Sequence, residues 1–204
     1  MTSYMKSALL LFCALVATAA DTIEAFGHKW SVPIAADWKL EDGVLHMLVA
    51  RPQTAPRRPS QFALAETPDW QKVTIEAEVK RLKGSLIFVY AYRDPSHFNY
   101  AHLSVDTGTK QPVHNGIFHV YGGDRVRISS EKGPAALPSA DEWYKVRLDY
   151  EATTGSVNVK VNGNDLPALK GVDLSLGAGK VGLGSFFETA LFRNVKISGT
   201  PAQP

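Results

Sequence analysis

Residues 144–163 read YKVRLDYEATTGSVNVKVNG, and this stretch decides the fold class. Tyr144, Val146, Leu148 and Tyr150 alternate with Lys145, Arg147 and Asp149, and beyond Thr154-Gly155 the alternation resumes with Val157, Val159 and Val161 against Asn158 and Lys160. A period of two places apolar side chains on one face of a strand and polar ones on the other. Thr154-Gly155 turns the chain, and Asn162-Gly163 ends the second strand with two residues suited to positive φ. The stretch is a β-hairpin with one face buried.

The same pattern extends outward. Val73, Ile75, Ala77 and Val79 alternate with Thr74, Glu76, Glu78 and Lys80, a second half-buried strand. Further strands are expected at 44–50, 61–65, 85–92, 98–105, 117–121, 125–130, 180–187 and 191–197, with Gly122-Gly123-Asp124 as a hairpin turn. Two Pro-rich stretches, 52–59 and 132–139, read as connections. Turn residues recur every eight to twelve positions or so, and no window carries a helical period with caps. About ten strands with no internal repeat and no linker predict one all-β, two-sheet antiparallel sandwich.

At the N-terminus Lys6 precedes an apolar run from Ala8 to Ala17, followed by Thr18, Ala19 and Ala20 ahead of Asp21. That order predicts a secretory signal peptide over 1–20 and a mature domain over 21–204, with its core at 27–199. The run is shorter than the roughly 20 apolar residues of a membrane span, so membrane insertion is not expected. Export to the periplasm or the exterior is. Cys13, the single cysteine, falls in the leader, so no disulfide is expected in the mature chain. Lys and Arg total 22 against 20 Asp and Glu, with no run of like charge, which argues against a nucleic-acid partner.

Several motifs resemble the concanavalin A-like lectin and glucanase superfamily, in particular its laminin G-like and 3-keto-disaccharide hydrolase-like members. They are Trp143-Tyr144-Lys145-Val146, the strand 157–162 with Gly163, the run Gly179-Lys180-Val181-Gly182-Leu183-Gly184-Ser185, Phe192-Arg193-Asn194-Val195, and, near the start, Trp38, Asp42-Gly43 and Leu45. The resemblance covers about residues 27–199 and rests on turn glycines and core aromatics, which speak for fold more than chemistry. It implies a jelly roll of two curved sheets, an oligo- or polysaccharide held across the concave one, and room for a structural calcium ion in the loop around Asp94. Two catalytic signatures of the superfamily are absent: no Glu is followed two positions later by Asp, and no Gln-x-His occurs.

Four of the six histidines, His97, His102, His114 and His119, fall between residues 97 and 119. On the strand 98–105, Ala101, Leu103 and Val105 suit the core, which turns Tyr100 and His102 together to the opposite face. Residues 85–92 are apolar on both faces, with Ile87, Val89 and Ala91 on one and Phe88, Tyr90 and Tyr92 on the other. They form either a doubly buried strand or an aromatic floor for sugar rings.

The expected site therefore combines Tyr100, His102, Glu76 and Glu78 as catalytic candidates with Tyr90, Tyr92, Arg93, His119, Arg125 and Arg127 as glycan contacts. Glu76 and Glu78 share a strand face and could form an acid and base pair; the arginines suit a uronate carboxylate. Four readings stay open. They are a carbohydrate-binding or carbohydrate-processing sandwich, a polysaccharide lyase or glycoside hydrolase using Tyr100 and His102, a metal site drawing on His97, His102, His114 or His119 with Asp94 or Asp106, and a non-catalytic laminin G-like module.

Overall fold

The quoted hairpin forms as its alternation demands. Strand β11 (Tyr144–Glu151) pairs antiparallel with β12 (Ser156–Val161), Leu148 opposite Val159 and Tyr150 opposite Val157. Asn162 and Gly163 take φ of 50° and 80° and lead into β13 (Asn164–Val172). The computed structural model describes residues 21–105, 114–186 and 188–203. The leader, the 106–113 segment with Asp106, and the expectations attached to them lie outside the described residues.

The remaining strands are β1 (Asp21–Ala25), β2 (His28–Val32), β3 (Trp38–Glu41), β4 (Val44–Met47), β5 (Gln61–Ala65), β6 (Trp70–Arg81), β7 (Leu86–Asp94), β8 (His97–Leu103), β9 (Gly116–Tyr121), β10 (Val126–Arg127), β14 (Lys180–Ser185) and β15 (Ala190–Pro201). They make an eight-stranded sheet, β1-β2-β5-β14-β7-β8-β9-β10, and a seven-stranded sheet, β13-β12-β11-β6-β15-β4-β3. Every strand pair within the two sheets is antiparallel. This is the expected two-sheet sandwich. Strands β1, β2 and β13 were not foreseen, and β1 precedes the expected core boundary at residue 27. No helix among the described residues is long and apolar enough to cross a membrane.

Between the sheets, Trp30, Leu45, Met47, Ile75, Phe88, Leu148 and Phe192 are buried in one continuous core. Such large apolar side chains each contribute about 1.5–3 kcal/mol on burial, which is how a chain without cross-links holds together.

Strand β7 departs from strict alternation. Val89 pairs with Gly182 and Tyr92 with Lys180, so Tyr90 and Ala91 together oppose Val181 alone. This is a β-bulge, and Ala91 adopts φ 49° to make it. Its consequence is a change of face. Phe88, Tyr90 and Ala91 all point into the inter-sheet core, while Ile87, Val89 and then Tyr92 belong to a second cluster on the sheet's outer side.

Candidate functional site

The outer side of the eight-stranded sheet carries the chemistry. Strand β8 presents Phe98, Tyr100 and His102 there, β9 adds Phe118 and Val120, and Phe62, Tyr92 and Phe186 complete an apolar cluster. Phe98 and Tyr100 are nonetheless wholly buried. The Pro-rich segment 48–60 crosses this face as a strap, sharing one opening with Phe62 and Tyr92 and another with His102 and Arg125. Arg51 anchors one end, its Nε and Nη2 lying 2.5 and 2.6 Å from the carboxylate of buried Asp37, while its amide donates to Gln61 Oε1 at 2.8 Å. At the other end the Arg57 amide donates to Asp124 Oδ1 at 2.7 Å and the Arg125 amide to the Arg57 carbonyl at 3.0 Å. The expected aromatic floor is thus a strapped second core with an opening on either side.

One opening, about 430 Å³, lies between the strap and Phe62, Leu64 and Tyr92, and its walls are mostly proline and apolar side chains. The other, about 220 Å³, is lined by Arg57, Ser85, His102, Ser104, His114, Arg125, Phe186 and Glu188. Here polar groups converge. Arg125 Nη1 lies 3.0 Å from Tyr100 Oη and 3.1 Å from His102 Nδ1, and its guanidinium sits over the Phe118 and Phe186 rings at 4.5 and 4.3 Å. An arginine only donates, so Nδ1 of His102 is the acceptor. The proton on Nε2 then goes to Ser85 Oγ, 2.7 Å away.

Ser85 also holds the acid of the pocket. Its amide donates to Glu188 Oε2 at 2.7 Å, and its carbonyl accepts from Ser185 Oγ, which in turn receives the Glu188 amide. The carboxylate lies directly over Gly84, where a Cβ would come within 1.0 Å of Oε2. Gly116 makes room in the same way for Arg127, whose guanidinium donates to the Ser129 and Glu131 carbonyls.

Burial, and then the charges of Arg125, His114, Arg127 and Arg57, hold the His102 pKa well below the ordinary imidazole value. The imidazole is therefore neutral at physiological pH. Burial raises the Glu188 carboxyl against the lowering pull of the Ser85 amide, Lys83 and Arg81. Burial also pushes the Tyr100 phenol up, with Arg125 only partly offsetting it. A wholly buried phenol cannot meet a substrate, so Tyr100 positions Arg125.

The other expected residues are dispersed. Tyr90 is in the inter-sheet core, its ring 4.7 Å from that of Tyr150, because the bulge at Ala91 separates it from Tyr92. Tyr92 borders the first opening. Glu76 and Glu78 lie on β6 in the other sheet and face outward, paired with Arg147 at 3.1 Å and Arg193 at 2.7 Å. They do not neighbour Tyr100 and His102, and the Arg193 and Asn194 side chains hold the Glu78 carboxyl below its usual range. Arg93 donates to the Ala178 carbonyl and stands 3.5 Å from Asp69.

His119 turns to the opposite side of the sheet from His102, where its Nδ1 lies 2.8 Å from Asp173 and 3.0 Å from Asn99. The four histidines are not gathered at one point: His97 pairs with Asp94, His119 with Asp173, and the His102 and His114 rings are neighbours with centroids 6.2 Å apart. The Asp94 carboxylate accepts from the Ser96 amide and meets His97. Among the described residues no three His, Cys, Asp or Glu side chains gather as ion ligands, so the calcium and metal expectations find no fitting donor set there. Around β10 Val126 is exposed, while Arg125 and Arg127 both lie on the face of Phe118.

Arg57, Ser85 and Glu188 are the site residues that the sequence did not announce. Gly84-Ser85 directly before an unbroken apolar strand was the available signal.

No family model matches the chain, and no curated protein does. Among solved structures, the carbohydrate-binding module CBM66 from Bacillus subtilis superposes with a TM-score of 0.55 at 14% identity, over 89% of this chain and 92% of that one. The GH43 protein BlXynB from Bacillus licheniformis gives 0.59 at 10% identity, over 88% of this chain and 38% of that one. A bifunctional GH43-CE protein of Bacteroides eggerthii gives 0.57 at 13% identity, over 85% and 24%. At these identities the likeness is one of fold, an antiparallel two-sheet sandwich.

Proposed function

We propose that this is an exported carbohydrate-engaging β-sandwich that holds its glycan at the pocket between the strap and the end of β7 and β8 at which Ser85 and Ser104 lie. The observation that carries the reading is the convergence of Arg125, His102, Ser85, Ser104 and Glu188 beside the Phe186 ring in one opening of about 220 Å³. Donors and acceptors fixed next to an aromatic surface are what a sugar's hydroxyls and C–H face require. The sandwich fold shared with a solved carbohydrate-binding module supports it. The test is a glycan panel read by calorimetry on the protein and on Ser85→Ala, His102→Gln and Tyr92→Ala. Binding that falls in the first two variants and persists in the third supports the pocket. Binding insensitive to both pocket variants refutes it.

A second reading, carbohydrate processing, has one observation of its own: Ser85 bridges a neutral imidazole and a carboxyl with raised proton affinity. A raised proton affinity is what an acid partner needs. In that scheme Glu188 gives its proton to the leaving oxygen and recovers one from the attacking water, while Ser85, whose Oγ accepts from His102 Nε2, donates its own hydroxyl proton in a hydrogen bond to the sugar. Assays for new reducing ends and for unsaturated product separate the readings, since a binding module releases neither.

A further inference from the structure

The pocket gathers more positive charge than a neutral sugar needs. Arg51, Arg93, Arg147 and Arg193 each meet a carboxylate, whereas Arg57 and Arg125 form no ion pair among the described residues. Both line the same opening. They do not drift apart, because the backbone bonds through Asp124 and the Arg57 carbonyl fix the strap to the β9–β10 turn. Asp124 lies close, but one oxygen is already engaged by the Arg57 amide. Arg127 stands near enough to depress both His102 and His114. Glu188, the carboxyl within the lining, is bonded to the Ser85 amide.

We infer that the pocket is built for an acidic saccharide, whose ring carries a carboxylate or sulfate group received between Arg57 and Arg125. The inference rests on the carbohydrate reading and adds the ligand's charge to it. Arg125 is sandwiched over Phe118 and Phe186, and the hydrogen bonds it makes to Tyr100 and His102 use Nη1 alone. The rest of its fork is thus held in one orientation, which suits an oxyanion's paired oxygens. Arg57, exposed on the strap, supplies the second cation. His102 in the same lining is neutral, so the positive charge of the opening comes from the guanidinium groups.

The experiment is calorimetric titration of the protein with tetragalacturonate, a κ-carrageenan tetrasaccharide and neutral galactotetraose, alongside the glycan panel, with Arg57→Gln and Arg57→Lys in parallel. A charged ligand is expected to bind about tenfold or more tightly than galactotetraose, with Arg57→Gln removing most of that margin and Arg57→Lys restoring part of it. The preference should shrink with added salt. Preference for the uronate or for the sulfated chain then identifies the anion. Equal affinity for charged and neutral chains, unchanged in Arg57→Gln, overturns the inference and leaves the carbohydrate reading standing. Failure of every saccharide, charged or neutral, overturns both.

Discussion

Nη1 of Arg125 lies 3.1 Å from Nδ1 of His102, so a permanent cation donates to the nitrogen on which the imidazole would otherwise take up a proton. His102 is buried as well, and both effects depress its folded pKa. The unfolded chain therefore binds a proton at His102 that the folded chain refuses. Stability from this residue is complete above about pH 6.5 and falls as pH drops below it, toward the depressed folded value. Denaturant unfolding at pH 7 and pH 5 should show the protein losing more stability than His102→Gln, which cannot titrate, by at most about 2 kcal/mol, the ceiling that an unfolded pKa near 6.5 sets at pH 5. His114 shifts in the same direction but is present in both proteins, so the difference isolates His102. Equal losses would mean that His102 accepts a proton without penalty and that the contact to Arg125 is not made.

Gly84 and Glu188 form a second testable pair. At φ 68°, Gly84 already favours glycine, and a methyl group there would occupy the space of the Glu188 carboxylate. Gly84→Ala should cost about 1–3 kcal/mol in unfolding free energy and weaken glycan binding by expelling the carboxylate. In the double variant Gly84→Ala, Glu188→Ala the collision is gone and only the backbone strain remains. The two substitutions should therefore be less costly together than the sum of the singles, by about 0.5 kcal/mol or more. Strict additivity would show that the carboxylate does not rest on Gly84.

Tyr100 distinguishes positioning from chemistry. Its hydroxyl accepts from Arg125 at 3.0 Å, and the ring is fully buried. Tyr100→Phe removes one acceptor of a charged donor and should cost about 1–2 kcal/mol of stability. Any turnover should survive to within about tenfold, whereas loss of an acid or base group costs about a hundredfold or more. A turnover loss of that larger size would restore Tyr100 as a catalytic residue.

The parts of the fold legible in the sequence are those with one wet face. Strands β6, β11 and β12 alternate because solvent and core impose opposite demands on successive residues. Strands β1 and β13 carry mixed residues, with Pro167 inside β13, and their pairing is decided by neighbours rather than by their own pattern. The site was legible only locally. Tyr100 and His102 do share a face, since two positions on one strand suffice for that. Their partners do not follow from spacing: Ser85 and Glu188 are 103 residues apart, and Glu76 and Glu78 went to the other sheet. Sequence spacing orders residues along a strand, and sheet membership is set by packing across the whole chain.

Ala91 is where that distinction becomes a single residue. Strict alternation groups Tyr90 with Tyr92, and the bulge parts them, sending Tyr90 to the inter-sheet core and Tyr92 to the outer face. The bulge requires φ 49° at a position whose small side chain is buried against the core, with Gly179 packed on its carbonyl carbon. Glycine relieves the strain but gives up a buried methyl and stiffens the unfolded chain less, so Ala91→Gly should remain within about 1 kcal/mol of the parent. Valine cannot take this backbone conformation without strain and adds volume to a filled core, so Ala91→Val should lose about 2 kcal/mol or more. Chemical denaturation measures both. If Ala91→Val is as stable as the parent, residues 90–92 alternate after all, and Tyr90 returns to the outer face beside Tyr92.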